Sequence, residues 1–384
     1  MNRKLVLLTE IIAPYRIPVF NALAHEPGID LHVIFFSEND PALRQWLIYK
    51  DEIHFSYEVL NSRRLRLGRL NLLLNRGLAA AVRKAAPDAI ICGGYNYAAS
   101  WHAQSWARRN RVPFLIWVES TIQDLRQGGP LIEALKTCFL RRCSAYVAAG
   151  KSSSEYLLEF GIQPRLIFTA PNAVDNDFFA TQAAAVRSRA HDERQALGLP
   201  ERFFLFVGRL IRAKGVFDLL NAYASLPPET RERVGLVLCG DGEVRGELQT
   251  QAAKIAPGRI VFPGFVQREK LAAYHALAET LVLPTHSDTW GLVVNEAMAC
   301  GLPIIVTGVA GCAADLVEDG WNGRVVAAHD VRQLASALSL LAADPPLRVR
   351  MGDHSRERIA LYSPERCASG MAQSVRAVWG VHEG

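Results

Sequence analysis

No run in these 384 residues approaches the ~18 apolar residues that a membrane-crossing helix requires. The first apolar run, Leu5 to Leu8 after Asn2-Arg3-Lys4, is too short for the core of a signal segment. A cytoplasmic protein is therefore expected. Paired cysteines are also missing. The seven cysteines are an odd number, and none falls in a CxxC pattern, so zinc and dithiol redox chemistry find no support. Cys92, Cys138, Cys143, Cys239, Cys300 and Cys312 stand among apolar or small neighbours and read as buried, reduced thiols. There is no P-loop and no GxSxG, and Gly240-Asp241-Gly242 with Gly246 falls short of GxGxxG. His25, His32 and His54 are single and unclustered, as surface or core histidines are.

Charge is ordinary in amount but uneven in place. Residues 1–175 carry 21 Lys and Arg against 15 Asp and Glu, and the remainder carries 22 against 23. The excess gathers at Arg63, Arg64, Arg66, Arg69, Arg76, Arg83 and Lys84. Leu65, Leu67, Leu70, Leu72, Leu73 and Leu74 are interleaved with them. Such a stretch suits an anionic bilayer surface, and equally a solvated helix face over a core. Arg108, Arg109, Arg111, Arg141 and Arg142 strengthen the membrane reading only if they share that face. No RNA or DNA motif accompanies the basic residues, so a nucleic-acid partner is not expected.

The length calls for two domains. Short apolar runs at Leu5–Thr9, Leu31–Phe36, Ala89–Cys92, Phe114–Val118 and Ala145–Ala149 read as parallel strands buried on both faces. Helical patterns at Arg76–Ala86 and Ser152–Phe160 lie between them. The Ala-rich, charged stretch Thr181–Arg194 reads as a connector or surface helix. A second series follows at Phe203–Val207, Val234–Cys239, Arg259–Phe262, Thr280–Leu283, Ile304–Thr307 and Gly323–Val326. The expectation is two Rossmann-like α/β domains facing across a cleft, residues 1–175 and 176–363. The last helix, 364–384, offers Met371, Val375, Val378 and Trp379 for packing and is expected to cross back onto the first domain.

In such domains ligands bind at the carboxyl ends of the strands. Gly208, Arg209, Lys214 and Gly215 follow the strand Phe203–Val207 directly. Alone, Arg209 and Lys214 read equally as solvated loop cations or as a clamp on a diphosphate. The segment Pro284–Thr307 tips the balance. It sets Asp288 and Glu296 with seven residues between them, around a Trp290-Gly291-Leu292 turn that opens a short helix. Carboxylates so placed can hold sugar and ribose hydroxyls.

Gly208-Arg209-Leu210, the nearby Lys214-Gly215, and Asp288 followed by the Glu296-Ala297-Met298-Ala299-Cys300-Gly301-Leu302-Pro303 run together resemble the retaining glycosyltransferases of family 4, which have the GT-B fold. Pro171–Asp175, Leu238–Gly242 and Phe262–Val266 add to the likeness in the family's order. The resemblance covers roughly residues 145–330 and thins toward the N-terminus, where Pro14-Tyr15-Arg16 is the main match. It implies that Arg209 and Lys214 hold the donor diphosphate, Glu296 the ribose, and Asp288 the sugar. It further implies that backbone N–H groups from Trp290 through Gly291 and Leu292 to Val293 meet sugar and phosphate, and that Gly264 to Val266 border the base. The donor is then a UDP- or GDP-sugar and the acceptor a saccharide or lipid-linked saccharide, as in surface polysaccharide or glycoconjugate synthesis. Neither cofactor nor metal is implied.

Two positions depart from the family. Its first acid is usually Glu, whereas here it is the shorter Asp288. Many members end a first-domain strand in a sugar-contacting His. Here Phe114–Val118 runs into Glu119-Ser120, so Glu119 reads as a polar stand-in, an acceptor contact, or a carboxylate at a helix start. Tyr15 and Arg16 are candidates for the acceptor, Arg16 for its phosphate, and Gly93–Asn96 for a wall beside it. Asp175-Asn176-Asp177 spells D-x-D but sits in a turn at the domain junction, where metal binding is not expected. Two other readings stay open: a sugar-nucleotide epimerase of the same architecture, and a sugar-nucleotide-binding protein without activity.

Overall fold

The computed structural model describes residues 2–40, 45–67, 70–124 and 129–380. The chain divides into two compact units, Met1–Ala173 with Pro364–Gly384, and Val174–Ser363. No described helix is long and apolar enough to cross a membrane.

The first unit holds β1 (Arg3–Thr9), β2 (Ile29–Phe35), β3 (Ser56–Val59), β4 (Asn61–Leu67), β5 (Leu70–Arg76), β6 (Ala89–Gly93), β7 (Phe114–Val118), β8 (Ala145–Ala148) and β9 (Ile167–Thr169). Seven of them form one parallel sheet in the order β3-β2-β1-β6-β7-β8-β9. Alternate side chains enter opposite cores, as the pleat requires. Leu5, Leu7, Val33 and Leu115 pack with helix Ile17–Ala24 and the last helix, while Val6, Leu8, Ile34 and Ile116 pack with helices Leu78–Ala85 and Ala98–Arg109.

The last helix, Pro364–Gly380, lies in this unit. Met371, Val375, Val378 and Trp379 join Val19, Phe20 and Leu23 in one core, and Trp379 Nε1 donates to Asp88 O at 3.1 Å. The final four residues of the expected 364–384 segment lie outside the described residues.

The basic, leucine-rich stretch is not a helix face. Asn61–Leu67 and Leu70–Arg76 form an antiparallel hairpin, and only Leu78–Ala85 beyond it is helical. The reason is periodicity: buried Leu73 sits between exposed Leu72 and Leu74, a period of two. Arg69 lies outside the described residues.

The second unit holds β10 (Phe203–Val207), β11 (Gly235–Cys239), β12 (Ile260–Gly264), β13 (Thr280–Leu283), β14 (Ile304–Thr307) and β15 (Gly323–Val326). All pair in parallel in the order β12-β11-β10-β13-β14-β15. The chain thus builds outward from β10 in one direction, then returns to build outward from β13 in the other. That reversal opens a crevice at the carboxyl ends of β10 and β13.

Thr181–Arg194 is more than a connector. It contributes to two helices, Asn176–Arg187 and Ala190–Leu197. The first buries Phe179, Ala183 and Val186, and Arg187 Nη2 donates to Cys300 O at 2.6 Å. The apolar stripe starts at Phe179, ahead of the stretch judged by composition. Asp175 caps this helix, its Oδ1 accepting from Phe178 N at 2.9 Å, so half of the D-x-D spelling has a structural task.

All seven cysteines are free; five are buried, and Cys138 and Cys143 are partly so. Burial pushes the thiols of Cys92, Cys300 and Cys367 up to about 12, which keeps them protonated and inert at neutral pH.

The final helix completes the first unit's core, so truncating it there should be costly. Met371→Ala is expected to destabilise that unit by about 2–5 kcal/mol. Urea unfolding followed by tryptophan fluorescence measures this, and an unchanged midpoint would mean that the helix is dispensable.

Candidate functional site

The loop after β10 and the loop after β13 meet at the reversal of strand order. Gly215 makes the meeting possible. Its φ is +65°, and a Cβ there would lie 1.8 Å from Pro284 O. His286 N donates to Ala213 O at 2.9 Å and ties the two loops together. Lys214, just before that glycine, thereby sets its ammonium against Asp288 Oδ2, and both side chains are largely buried.

Asp288 is held by its own turn. Its backbone O accepts from Gly311 N at 2.9 Å, and Trp290 N lies 3.4 Å from Oδ1. The buried Trp290 indole donates to Asn295 Oδ1 at 2.9 Å and fixes the turn against helix Val293–Ala299. Gly291, at φ +94°, has no room for a side chain: a Cβ would meet Leu283 Cδ2 at 2.7 Å. Leu292 and Val293 are half-buried beside it. The Gly291 and Leu292 N–H groups donate to no described residue.

Glu296 lies on the same short helix, with its carboxylate 3.4 Å from His275 Nε2. His275 is fully buried in helix Arg268–Leu277, and neither ring nitrogen has a well-formed hydrogen bond. This neighbour had no signal in the sequence, because its helix precedes β13 and the contact is made by the fold. Arg209 is exposed on the loop after β10 and pairs with no described carboxylate. Gly208 N donates to Cys239 O at 3.0 Å, and Gly240 N to Gly264 O at 2.7 Å, so the ends of β10, β11 and β12 are stitched together. Gly264 is buried; Phe265 is exposed and Val266 half-buried on the following loop.

In the first unit the sequence candidates form a network. Arg16 is buried, and its Nη2 meets Glu119 Oε1. Its Nη1 donates to Asn172 Oδ1 at 2.9 Å, and Asn172 Nδ2 donates to the same Glu119 oxygen at 2.8 Å. The guanidinium lies 4.0 Å from the centroid of the Trp117 ring. Burial disfavours the cation, but Glu119 outweighs it, and Arg16 is held more firmly protonated than usual. Arg16 is thus committed inside the protein rather than presented to an acceptor phosphate. Glu119 keeps a 43% exposed side chain and is not the start of a regular helix, since a 3₁₀ turn begins only at Ile122. Tyr15 is half-buried, with its ring edge-on to Trp46 at 5.8 Å. Tyr95 Oη lies 2.7 Å from Tyr156 Oη, so that part of Gly93–Asn96 is packed.

A parallel sheet with reversed strand order is the Rossmann-like architecture, in which ligands bind where the order reverses, and Lys214 and Asp288 meet at that place. Comparison with known proteins narrows this. Residues 188–358 match the family Glycosyl transferases group 1, and residues 21–178 match Glycosyltransferase Family 4. The two matches span most of the chain, which belongs to the family 4 glycosyltransferases.

A D-inositol 3-phosphate glycosyltransferase of Xylanimonas cellulosilytica is 30% identical over 235 residues, 59% of this chain and 55% of that one. The alpha-D-kanosaminyltransferase of Streptomyces kanamyceticus is 32% identical over 174 residues, 45% of each chain. The match thus spans about half the length of these curated relatives. Among solved structures, Anabaena HepE in complex with UDP and glucose superposes with a TM-score of 0.77 at 20% identity, covering 98% of this chain and all of that one. Sucrose-phosphate synthase of Thermosynechococcus elongatus gives 0.75 at 21%, covering 99% of this chain and 100% of that one. The fold is GT-B.

Gly215→Ala forces the two loops apart. It is expected to cost about 1–3 kcal/mol in stability, read from thermal unfolding. A variant as stable as the parent would show that the loops part freely and that the Lys214–Asp288 contact does not depend on this glycine.

Proposed function

We propose that this protein transfers a sugar, with retention of anomeric configuration, from a nucleoside-diphosphate sugar to a saccharide or lipid-linked saccharide. The observation that carries the reading is the Lys214 ammonium held on Asp288 at the strand-order reversal. Charge for a diphosphate and a carboxylate for a sugar hydroxyl then stand side by side, as the two halves of such a donor require. UDP-sugars are the first donors to consider, since HepE is described with UDP and glucose. Glu296 would accept from the ribose hydroxyls, and Arg209, exposed on the loop after β10, would reach the diphosphate.

On this reading the acceptor hydroxyl attacks the anomeric carbon from the face that the diphosphate leaves. The carbon–oxygen bond to the acceptor forms as that to phosphate breaks. A phosphate oxygen of the departing nucleotide takes the hydroxyl proton. No separate base is needed, and Lys214 and Arg209 stabilise the charge that builds on the leaving group. Glu119 would meet the acceptor, with Arg16 and Asn172 fixing its carboxylate and Tyr15 nearby. No step calls for a metal or cofactor.

A lipid-linked acceptor fits one face of the β4–β5 hairpin. Leu65, Leu72 and Leu74 are exposed there beside Arg63 and Arg76, an apolar and cationic surface suited to anionic headgroups. The proposed place of work is the cytoplasmic side of a membrane.

Nucleotide binding and transfer separate the roles. Glu296→Ala is expected to weaken binding of UDP or GDP alone by about ten- to a hundredfold, as for a lost charged hydrogen bond. Asp288→Ala should leave nucleotide affinity near wild type and remove most transfer. Lys214→Ala should lower transfer by about a hundredfold or more. Calorimetry and a product assay read these. Unchanged nucleotide affinity in Glu296→Ala removes the ribose role, and wild-type transfer in Asp288→Ala removes the sugar contact. Turnover of the nucleotide sugar without acceptor would favour an epimerase. Activity should also survive EDTA; loss restored by Mg²⁺ would revive the D-x-D aspartates as metal ligands.

A further inference from the structure

Beside the Lys214 loop lies a cluster that sugar transfer does not use. Asp218 Oδ2 sits 2.7 Å from His286 Nε2 and 3.8 Å from His329 Nδ1. The three ligand atoms all lie within 4.8 Å of one another. They come from three segments: helix Val216–Ala224, the loop after β13 and the turn after β15. We propose that Asp218, His286 and His329 form a binding site for a divalent transition metal of the zinc class.

Two imidazoles and one carboxylate suit such ions in donor type. A tetrahedral ion with bonds of about 2.1 Å holds its ligand atoms about 3.4 Å apart. The present spacings straddle that value, so His286 retreats slightly from Asp218 and His329 approaches. His329 is free to do so, with a side chain 68% exposed. His286 is anchored through its backbone to Ala213, which fixes one ligand in advance.

Three further features favour a ligand over a chance cluster. The two rings lie close and tilted, with centroids 3.7 Å apart and 36° between planes, and a nitrogen of each is turned to the same Asp218 oxygen. Among the described residues, no lysine or arginine pairs with Asp218, whose carboxylate faces only the histidines. His329 has a φ of +66°, a left-handed conformation that histidine adopts at a cost and glycine does not. A bound ion would supply the cation that this carboxylate lacks and would coordinate both rings as neutral ligands. It would fasten the helix that follows Lys214 to two neighbouring loops, a structural role compatible with transfer in EDTA.

The test uses the full chain, stripped with EDTA, exchanged into buffer and titrated with Co²⁺ while visible absorption is recorded. Wild type is expected to develop d–d bands saturating at one equivalent, to lose them on adding Zn²⁺, and to melt at higher temperature with Zn²⁺ than without. His329→Gly, His286→Gln and Asp218→Asn should each weaken Co²⁺ binding at least tenfold, whereas His191→Ala on an exposed helix should not. Glycine accepts the backbone at 329, so that variant keeps its fold, which the metal-free melting temperature verifies. Absence of a one-equivalent Co²⁺ site in wild type overturns the proposal. So does wild-type Co²⁺ affinity in His329→Gly and Asp218→Asn, which would place the ion elsewhere.

Discussion

The second unit of this protein depends on two strand ends approaching more closely than a side chain at residue 215 would allow. A reversed strand order leaves the ends of β10 and β13 adjacent but with diverging connections. Only a glycine lets the chain after β10 run against Pro284 O. From that contact the rest follows. Lys214 lands on Asp288, His286 is tied to Ala213, and the turn through Trp290 is braced from behind by Asn295. Chemistry-bearing side chains distant in sequence thus become neighbours through a backbone constraint, before any charge acts.

The first unit uses the same sheet logic with a different outcome. Its strand order also reverses, at β1 and β6, and its polar residues also emerge at strand ends. Here the cation is closed in. Arg16, Glu119 and Asn172 satisfy one another around one carboxylate oxygen, with Trp117 over the guanidinium. A buried arginine paired in this way fixes the position of its partners. What it presents outward is the remaining part of Glu119. The second unit leaves Arg209 exposed and the first leaves Glu119 partly exposed; on the proposed reading the one would meet an anionic donor and the other a hydroxylic acceptor.

Strands buried on both faces were legible because they are short apolar runs, and the three C-terminal strands match their expected limits residue for residue. The strands that escaped notice, β3, β9 and the β4–β5 hairpin, lie at an edge or outside the main sheets, where one face meets water and the apolar run is broken. The hairpin was obscured further because its leucines also admit a helical reading. Of the candidate site residues, Asp288 and Glu296 could be picked out by their spacing within one segment, and Lys214 by its place just after β10. His275 beside Glu296, and Asp218 with His286 and His329, could not, since their partners come from separate βα units. Arg16 was visible as a loop residue at a strand end, but not its burial, which is set by Glu119 and Asn172 more than a hundred residues away.

The shorter acid at 288 makes most sense together with Lys214. A glutamate there would carry its carboxylate one methylene further from the turn, past the point where the Lys214 ammonium now rests. Aspartate keeps the charge back, within reach of Trp290 N on one oxygen and of Lys214 on the other. An ammonium has three donors, and an ionised carboxylate has about four acceptor sites. Neither group is exhausted by the pair. On the proposed reading, a diphosphate therefore need not displace Asp288 from Lys214. It accepts a hydrogen bond from another of the lysine's N–H groups, and a sugar hydroxyl donates to another of the aspartate's lone pairs. The two halves of the donor are then registered against each other through one ion pair, which sets the sugar's position relative to the leaving group before an acceptor arrives. A shorter acid draws that sugar closer to the turn, and it is at this spacing, rather than in the phosphate grip, that donor choice would be decided.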